Sequence, residues 1–234
     1  MAEQVFVVDE RFHGPPGSGN GGYVCGRLAA YTDGPVEVTL RLPPPLGVPL
    51  RVTVEGEVLT ATDGDRVVAE ARPAEVTVTA PPPVDPAAAQ AASERYPGHS
   101  VHPFPTCFVC GPERGADGLR IFPGPVDGRD VVTAPWTPAA DLADAAGAVR
   151  PEFVWSALDC AGAWSLEISP ERLIVLGRFS ARIDRPVRAG EPIVVVGWPL
   201  GIDGRKMHAG TALYDVAGAV VAVAQATWVQ LRTT

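Results

Sequence analysis

NGGYVCGRLAAYT at residues 20–32 and EFVWSALDCAGAWSLE at residues 152–167 decide how this chain is read. The first carries Tyr23, Val24, Leu28 and Tyr31 at helical spacing, and Asp33-Gly34 ends it. The second is apolar almost throughout, so it predicts a buried helix with one charge, Asp159, inside it. Strand-like segments follow both. Residues 36–42, 50–60 and 66–79 alternate with period two, and Asp63-Gly64-Asp65 supplies a turn before the last of them. After the second helix come 174–184, 192–198, 206–215 and 219–231. A strand is also expected before each helix, at 4–12 and at 130–136.

This order suggests a repeat. With Asn20 set against Arg150, Tyr23 meets Phe153, Val24 meets Val154 and Leu28 meets Leu158. Val67 to Ala71 then resembles Val220 to Ala224, and Val76 falls on Val229. Between the repeats, the PPPVDP run is stiff, AAAQAASERY suits a short helix, and PGHSVHPFPT is irregular. The expected organisation is an N-terminal half at 1–80, a linker at 81–106 and a C-terminal half at 107–234.

Composition narrows the function classes. The 234 residues have a formal net charge of −8 and a single lysine, Lys206. Clustered positive charge is missing, so neither nucleic acid nor an anionic membrane surface is an expected partner. No apolar run approaches the roughly 20 residues of a membrane-spanning helix. The first twelve residues lack the basic start and apolar stretch of a secretory signal, so the expected compartment is the cytoplasm. Four cysteines, Cys25, Cys107, Cys110 and Cys160, are too few for a disulfide framework in a chain this long.

The segments GNGGYVCGRLA and PEFVWSALDCAGAWS resemble the central helices of hotdog-fold domains, and the pair resembles a double-hotdog acyl-CoA thioesterase-like protein. The resemblance implies an α+β tandem hotdog, each half an antiparallel sheet wrapped around one helix. Thioesterases of the phenylacetate-pathway type start that helix with His-Gly-Gly and carry an acid about two turns further along it, and in the dimer the start of one helix faces the acid of the other. Here Asn20-Gly21-Gly22 stands at the first helix start, with Ala29 at the acid position. The second half has Arg150-Pro151-Glu152 at its start but Asp159 at the acid position. Each half therefore keeps one component, and the resemblance implies that together they make one intact site and one degenerate site.

Asp159 is then the candidate base or nucleophile, the Gly22 N–H the oxyanion donor, and Asn20 the orienting group. Gly21 lets the ligand approach, while Tyr23, Val24, Phe153 and Trp155 are expected to line an acyl channel. Arg178 and Arg182 are candidates for the phosphates of coenzyme A. The implied ligand is an acyl-CoA or other acyl thioester, with no cofactor. A homodimer also follows from the resemblance, because double-hotdog proteins often pair through sheet edges.

Other readings compete. Asn20-Gly21-Gly22 also suits a plain helix cap, and Asp159 a structural hydrogen bond. Decay of both catalytic pairs would leave an acyl-CoA binding protein without turnover. His13, in the loop before the first helix, resembles the histidine of hotdog dehydratases and would act with Asp159 as an alternative acid/base. His99, His102, Cys107 and Cys110 offer a zinc set of uncommon spacing, and the same two cysteines a reversible disulfide, against simple packing of the loop. Cys25 and Cys160 read as buried small hydrophobes in mid-helix.

Overall fold

The computed structural model describes residues 4–166, 168–169 and 172–232. Its strands are β1 (Gln4–Val7), β2 (Val36–Leu40), β3 (Pro49–Glu55), β4 (Val58–Asp63), β5 (Arg66–Pro73), β6 (Gly124–Pro125), β7 (Val132–Trp136), β8 (Ile174–Ile183), β9 (Ile193–Asp203), β10 (Lys206–Asp215) and β11 (Val220–Gln230). The helices are α1 (Gly21–Ala29), α2 (Pro86–Glu94), α3 (Pro151–Ala157) and α4 (Cys160–Trp164). Glu167, at the end of the second expected helix, and residues 1–3 and 233–234, at the outer ends of the expected halves, lie outside the described residues.

The strands form one sheet in the order β1-β3-β4-β5-β2-β8-β11-β10-β9-β7-β6. Apart from the two-residue β6, this order reads alike from both edges. In each direction comes the strand before the helix, then the second, third and fourth strands after it, then the first. The two series join where β2 pairs antiparallel with β8, Val36 opposite Ala181 and Val38 opposite Phe179. Residues 67–71 and 220–224, which match in sequence, lie in β5 and β11, and these strands hold equivalent places in the order.

Helix α1 packs on α3 and against β2, β5 and β8, while α4 packs on β7, β9 and β10. The helices and one face of the sheet bury a core that includes Leu28, Phe153, Leu158 and Phe179, while a second cluster gathers Val76, Val84 and Ala89 with Val194, Val196, Trp198, Ala212 and Tyr214 of the strands. Aromatic rings join the pieces. Phe12, before α1, stacks on Tyr23 at 4.2 Å and meets Phe108 edge-on at 5.1 Å. Asp85 caps α2 by accepting from the N–H groups of Ala87 and Ala88. No described helix is long and apolar enough to cross a membrane.

Four expectations shift, each for a local reason. The strand expected at 4–12 ends at Val7, and Asp9, accepting from the Arg11 N–H, caps a short 3-10 turn over Glu10–Phe12. The stretch 50–60 is two strands, because Gly56 turns the chain at φ +60°. The strand expected at 66–79 ends at Pro73, which lacks the N–H needed to continue a ladder. The second helix is broken: α3 stops at Ala157, α4 starts at Cys160, and Leu158 and Asp159 lie between. Aspartate is a poor helix former, and its carboxylate is here engaged by the opposite half of the chain.

Candidate functional site

Asn20 caps α1. Its Oδ1 accepts from the Tyr23 N–H at 2.9 Å, which satisfies one of the unpaired donors of the first turn. Its Nδ2 donates to Asp159 Oδ2 at 2.8 Å, and the Gly22 N–H donates to the same oxygen at 2.9 Å. The acid of the second half thus sits at the N-terminus of the first half's helix, where backbone dipoles favour negative charge.

Two glycines make this approach feasible. A Cβ on Gly22 would lie 2.7 Å from Asp159 Cβ and 2.8 Å from the Trp155 carbonyl oxygen. One turn further along, a Cβ on Gly26 would lie 2.7 Å from Glu152 Cα. The glycine face of α1 therefore brings the two helix backbones close enough for a backbone N–H to reach the carboxylate.

Asp159 is 3% exposed, and its Oδ1 is buried with no hydrogen-bond partner among the described residues. Burial pushes its pKa up to about 7, and the nearby Cys107 adds to the rise. The Gly22 and Asn20 hydrogen bonds act in the opposite direction. A carboxyl poised near neutrality, with one oxygen anchored and one free, has the form of a general base. Asn20→Ala should lower stability by about 1–2 kcal/mol through loss of the cap and of the bond to Asp159. The loss should be larger at pH 8 than at pH 5, because the missing donor favours the charged carboxylate. Chemical denaturation at the two pH values checks this.

Asp159 borders a partly open cavity of about 480 Å³ with largely apolar walls, lined by residues of 14–44 and of 102–231. Gly21, Leu40, Phe104, Trp164, Leu176 and Trp228 are among its lining residues. Trp228 Nε1, on the same wall, is also buried without a partner. No described hydrogen bond uses the N–H of Gly21, the first residue of α1.

The other sequence candidates separate into groups. Tyr23, Val24, Phe153 and Trp155 are at most 4% exposed in the core and do not line the cavity. Helical spacing placed them on an apolar face, and that face packs the two halves together. Of His13, Nδ1 donates to the Glu10 carbonyl at 2.8 Å and Nε2 lies 3.0 Å from Thr106 Oγ1. No hydrogen bond joins His13 to Asp159 among the described residues. Arg178 pairs with Glu37 and Arg182 with Asp184, away from the cavity lining. Arg41, not among the arginines named from sequence, lines the cavity and pairs with Glu70.

The cysteine loop is rearranged relative to expectation. Cys107 and Cys110 converge with Cys160 rather than with two histidines. His99 packs edge-on against Tyr96 and Phe122, and only His102 reaches the thiols, with Nε2 3.4 Å from Cys110 Sγ. Helical spacing in the sequence puts Cys160 in mid-helix, which hides its part in this group. The break at Asp159 makes it the first residue of α4, facing residues 107–110. Cys25 lies fully buried in α1, outside this group.

No family model matches the chain, and no curated protein matches it. Solved structures do. A conserved protein of unknown function with the hot dog fold from Alicyclobacillus acidocaldarius superposes with a TM-score of 0.61 at 12% identity, covering 99% of this chain and 94% of that one. This chain has the hotdog fold. The tesB protein of Mycobacterium avium subs paratuberculosis is a similar structure, with TM-score 0.62, 13% identity and coverage of 98% and 93%. So is a putative thioesterase II from Thermobifida fusca, with TM-score 0.61, 15% identity and coverage of 99% and 93%. In this hotdog chain, Asn20 and Gly22 both donate to Asp159.

Proposed function

We propose that this chain is a double hotdog, residues 1–80 and 107–234 joined through 81–106, and that it hydrolyses acyl thioesters in the cavity between the halves. In this reading each half wraps its sheet around one helix, α1 in the first and α3 with α4 in the second. The observation that carries the reading is Asp159: a buried carboxyl anchored by Asn20 and Gly22, with its second oxygen unpartnered beside an apolar cavity.

The chemistry follows from these positions. The ionised Asp159 takes a proton from water through Oδ1, and the hydroxide equivalent adds to the thioester carbonyl. The Gly22 N–H, expected to hold the carbonyl oxygen, is already committed to Asp159. The unengaged N–H of Gly21, at the positive end of α1, is the donor left for that oxygen. Collapse expels the thiolate, which recovers the proton from Asp159. The apolar walls hold the acyl chain, and Arg41 is the cationic side chain suited to a coenzyme A phosphate.

One observation favours a second reading. Because Asp159 occupies the Gly22 N–H, the same geometry suits a protein that binds acyl-CoA without turning it over. Hydrolysis of a panel of acyl-CoAs, short, long and aromatic, followed by free thiol release, separates the two. Turnover supports the thioesterase. Binding seen as a thermal shift, with no thiol released from any member, would replace it with the binding protein.

A further inference from the structure

The thiols of Cys107, Cys110 and Cys160 lie within 4.8 Å of one another, drawn from a loop and from the start of α4. Cys107 Sγ and Cys160 Sγ are 3.9 Å apart. Tetrahedral zinc with Zn–S bonds of about 2.3 Å separates its sulfurs by about 3.8 Å. The trio is thus nearly spaced for a metal before any metal is added.

The surroundings are built for thiolates. The chain from Cys107 to Gly111 forms a tight knuckle, closed by the Gly111 N–H donating to the Cys107 carbonyl at 3.0 Å. A side chain at Gly111 is impossible without rearrangement, since its Cβ would lie 2.5 Å from the Cys107 nitrogen and 2.6 Å from the Pro105 carbonyl oxygen. His102 supports the second sulfur. Its Nδ1 accepts from the Phe104 N–H at 2.8 Å, so in the neutral ring Nε2 carries the proton, and it points at Cys110 Sγ from 3.4 Å. That tautomer makes His102 a donor to a ligand sulfur rather than a ligand itself.

Simple packing of small hydrophobic thiols would require neither the convergence of three sulfurs nor the His102 donor. A single disulfide would use two of the three sulfurs and leave the third without a role. We propose that Cys107, Cys110 and Cys160 form a binding site for a thiophilic d10 cation, with zinc as the ion, and that the fourth coordination position opens toward the cavity. All three residues line that cavity, so water or a ligand group can complete the tetrahedron. The ion would clamp the 102–110 loop to α4 next to Asp159. This inference stands whether or not the chain hydrolyses thioesters.

The test is metal retention by the full chain. Reduced, metal-free protein is loaded with zinc chloride, desalted and analysed for bound metal, and a parallel sample is loaded with cobalt(II) and scanned for thiolate-to-cobalt charge transfer in the near ultraviolet. The expected result is about one equivalent of zinc, a thiolate band with cobalt, and at least a roughly fivefold drop in retained zinc for C107S, C110S and C160S. C25S, outside the cluster, should retain the metal. Less than about 0.2 equivalents on the wild-type chain, or equal retention by C160S, would overturn the proposal. So would thiols that close to a disulfide on mild oxidation without ever having taken zinc. The cobalt spectrum of the wild-type chain keeps the test decisive if a serine variant fails to fold.

Discussion

Asp159→Asn should nearly abolish thioester hydrolysis while making the protein more stable at neutral and alkaline pH. A positioned general base contributes about 10²–10⁴-fold to rate, and the amide cannot take the proton. Wild-type kcat/KM should rise with pH through an ionisation near the value of about 7 that burial imposes on Asp159. The stability effect has the opposite origin. The folded-state pKa lies above the unfolded value of about 3.9, so the folded chain holds a proton that the unfolded chain releases. Stability from this group is therefore fully present below the unfolded pKa and is lost as pH rises to about 7, where it levels off.

Asparagine removes that penalty. Its carbonyl oxygen can still accept from Gly22 and Asn20, and its neutral amide needs no charge compensation. The gain should grow by about 3 kcal/mol between pH 5 and pH 8, as an order of magnitude. Urea denaturation of both proteins at these pH values, beside thiol-release kinetics, provides the measurement. A variant that keeps near wild-type turnover would remove Asp159 from the mechanism. A variant that is destabilised equally at both pH values would show that the carboxylate serves the fold as a hydrogen-bonding group only.

Gly26→Ala should be strongly destabilising, although alanine is the better helix former by about 1 kcal/mol. The added methyl would meet Glu152 Cα at 2.7 Å and Trp155 Cβ at 2.8 Å. The first is backbone and cannot swing aside, so α1 and α3 must separate. Overpacking costs typically about 1–3 kcal/mol, and contact with a neighbouring backbone places this change at or above the upper end. The separation should also lengthen the contacts from Asn20 and Gly22 to Asp159, so activity should fall even in the folded fraction. Thermal unfolding and kinetics on the same preparation check both effects. A rise in Tm would mean that intrinsic helix propensity prevails and that the close crossing of the helices is unimportant.

Much of the fold was legible locally. Period-two alternation in 36–42 and 206–215, the Asp63-Gly64 turn and the two apolar helical stretches all reflect short-range preferences that tertiary packing reinforces. The repeat was legible because matching halves must bury matching faces. Asn20 as a cap and Asp159 as an anomalous charge were also visible, since each breaks a local expectation: a polar group at a helix start, and a carboxylate in an apolar run.

Other features depended on how distant segments meet. Apolar spacing assigns Val24 and Phe153 to a buried face, but burial in a core and burial along a cavity give the same periodicity. The structure puts them in the core and gives the cavity wall to Leu40, Leu176 and Trp228, residues from three different strands. The commitment of the Gly22 N–H to Asp159 could not be read from sequence either, because it results from the close crossing of α1 and α3. Cys160 joined Cys107 and Cys110 for the same reason. Its partners lie about fifty residues away along the chain, and its direction was set only when Asp159, drawn to the opposite half, broke the helix just before it.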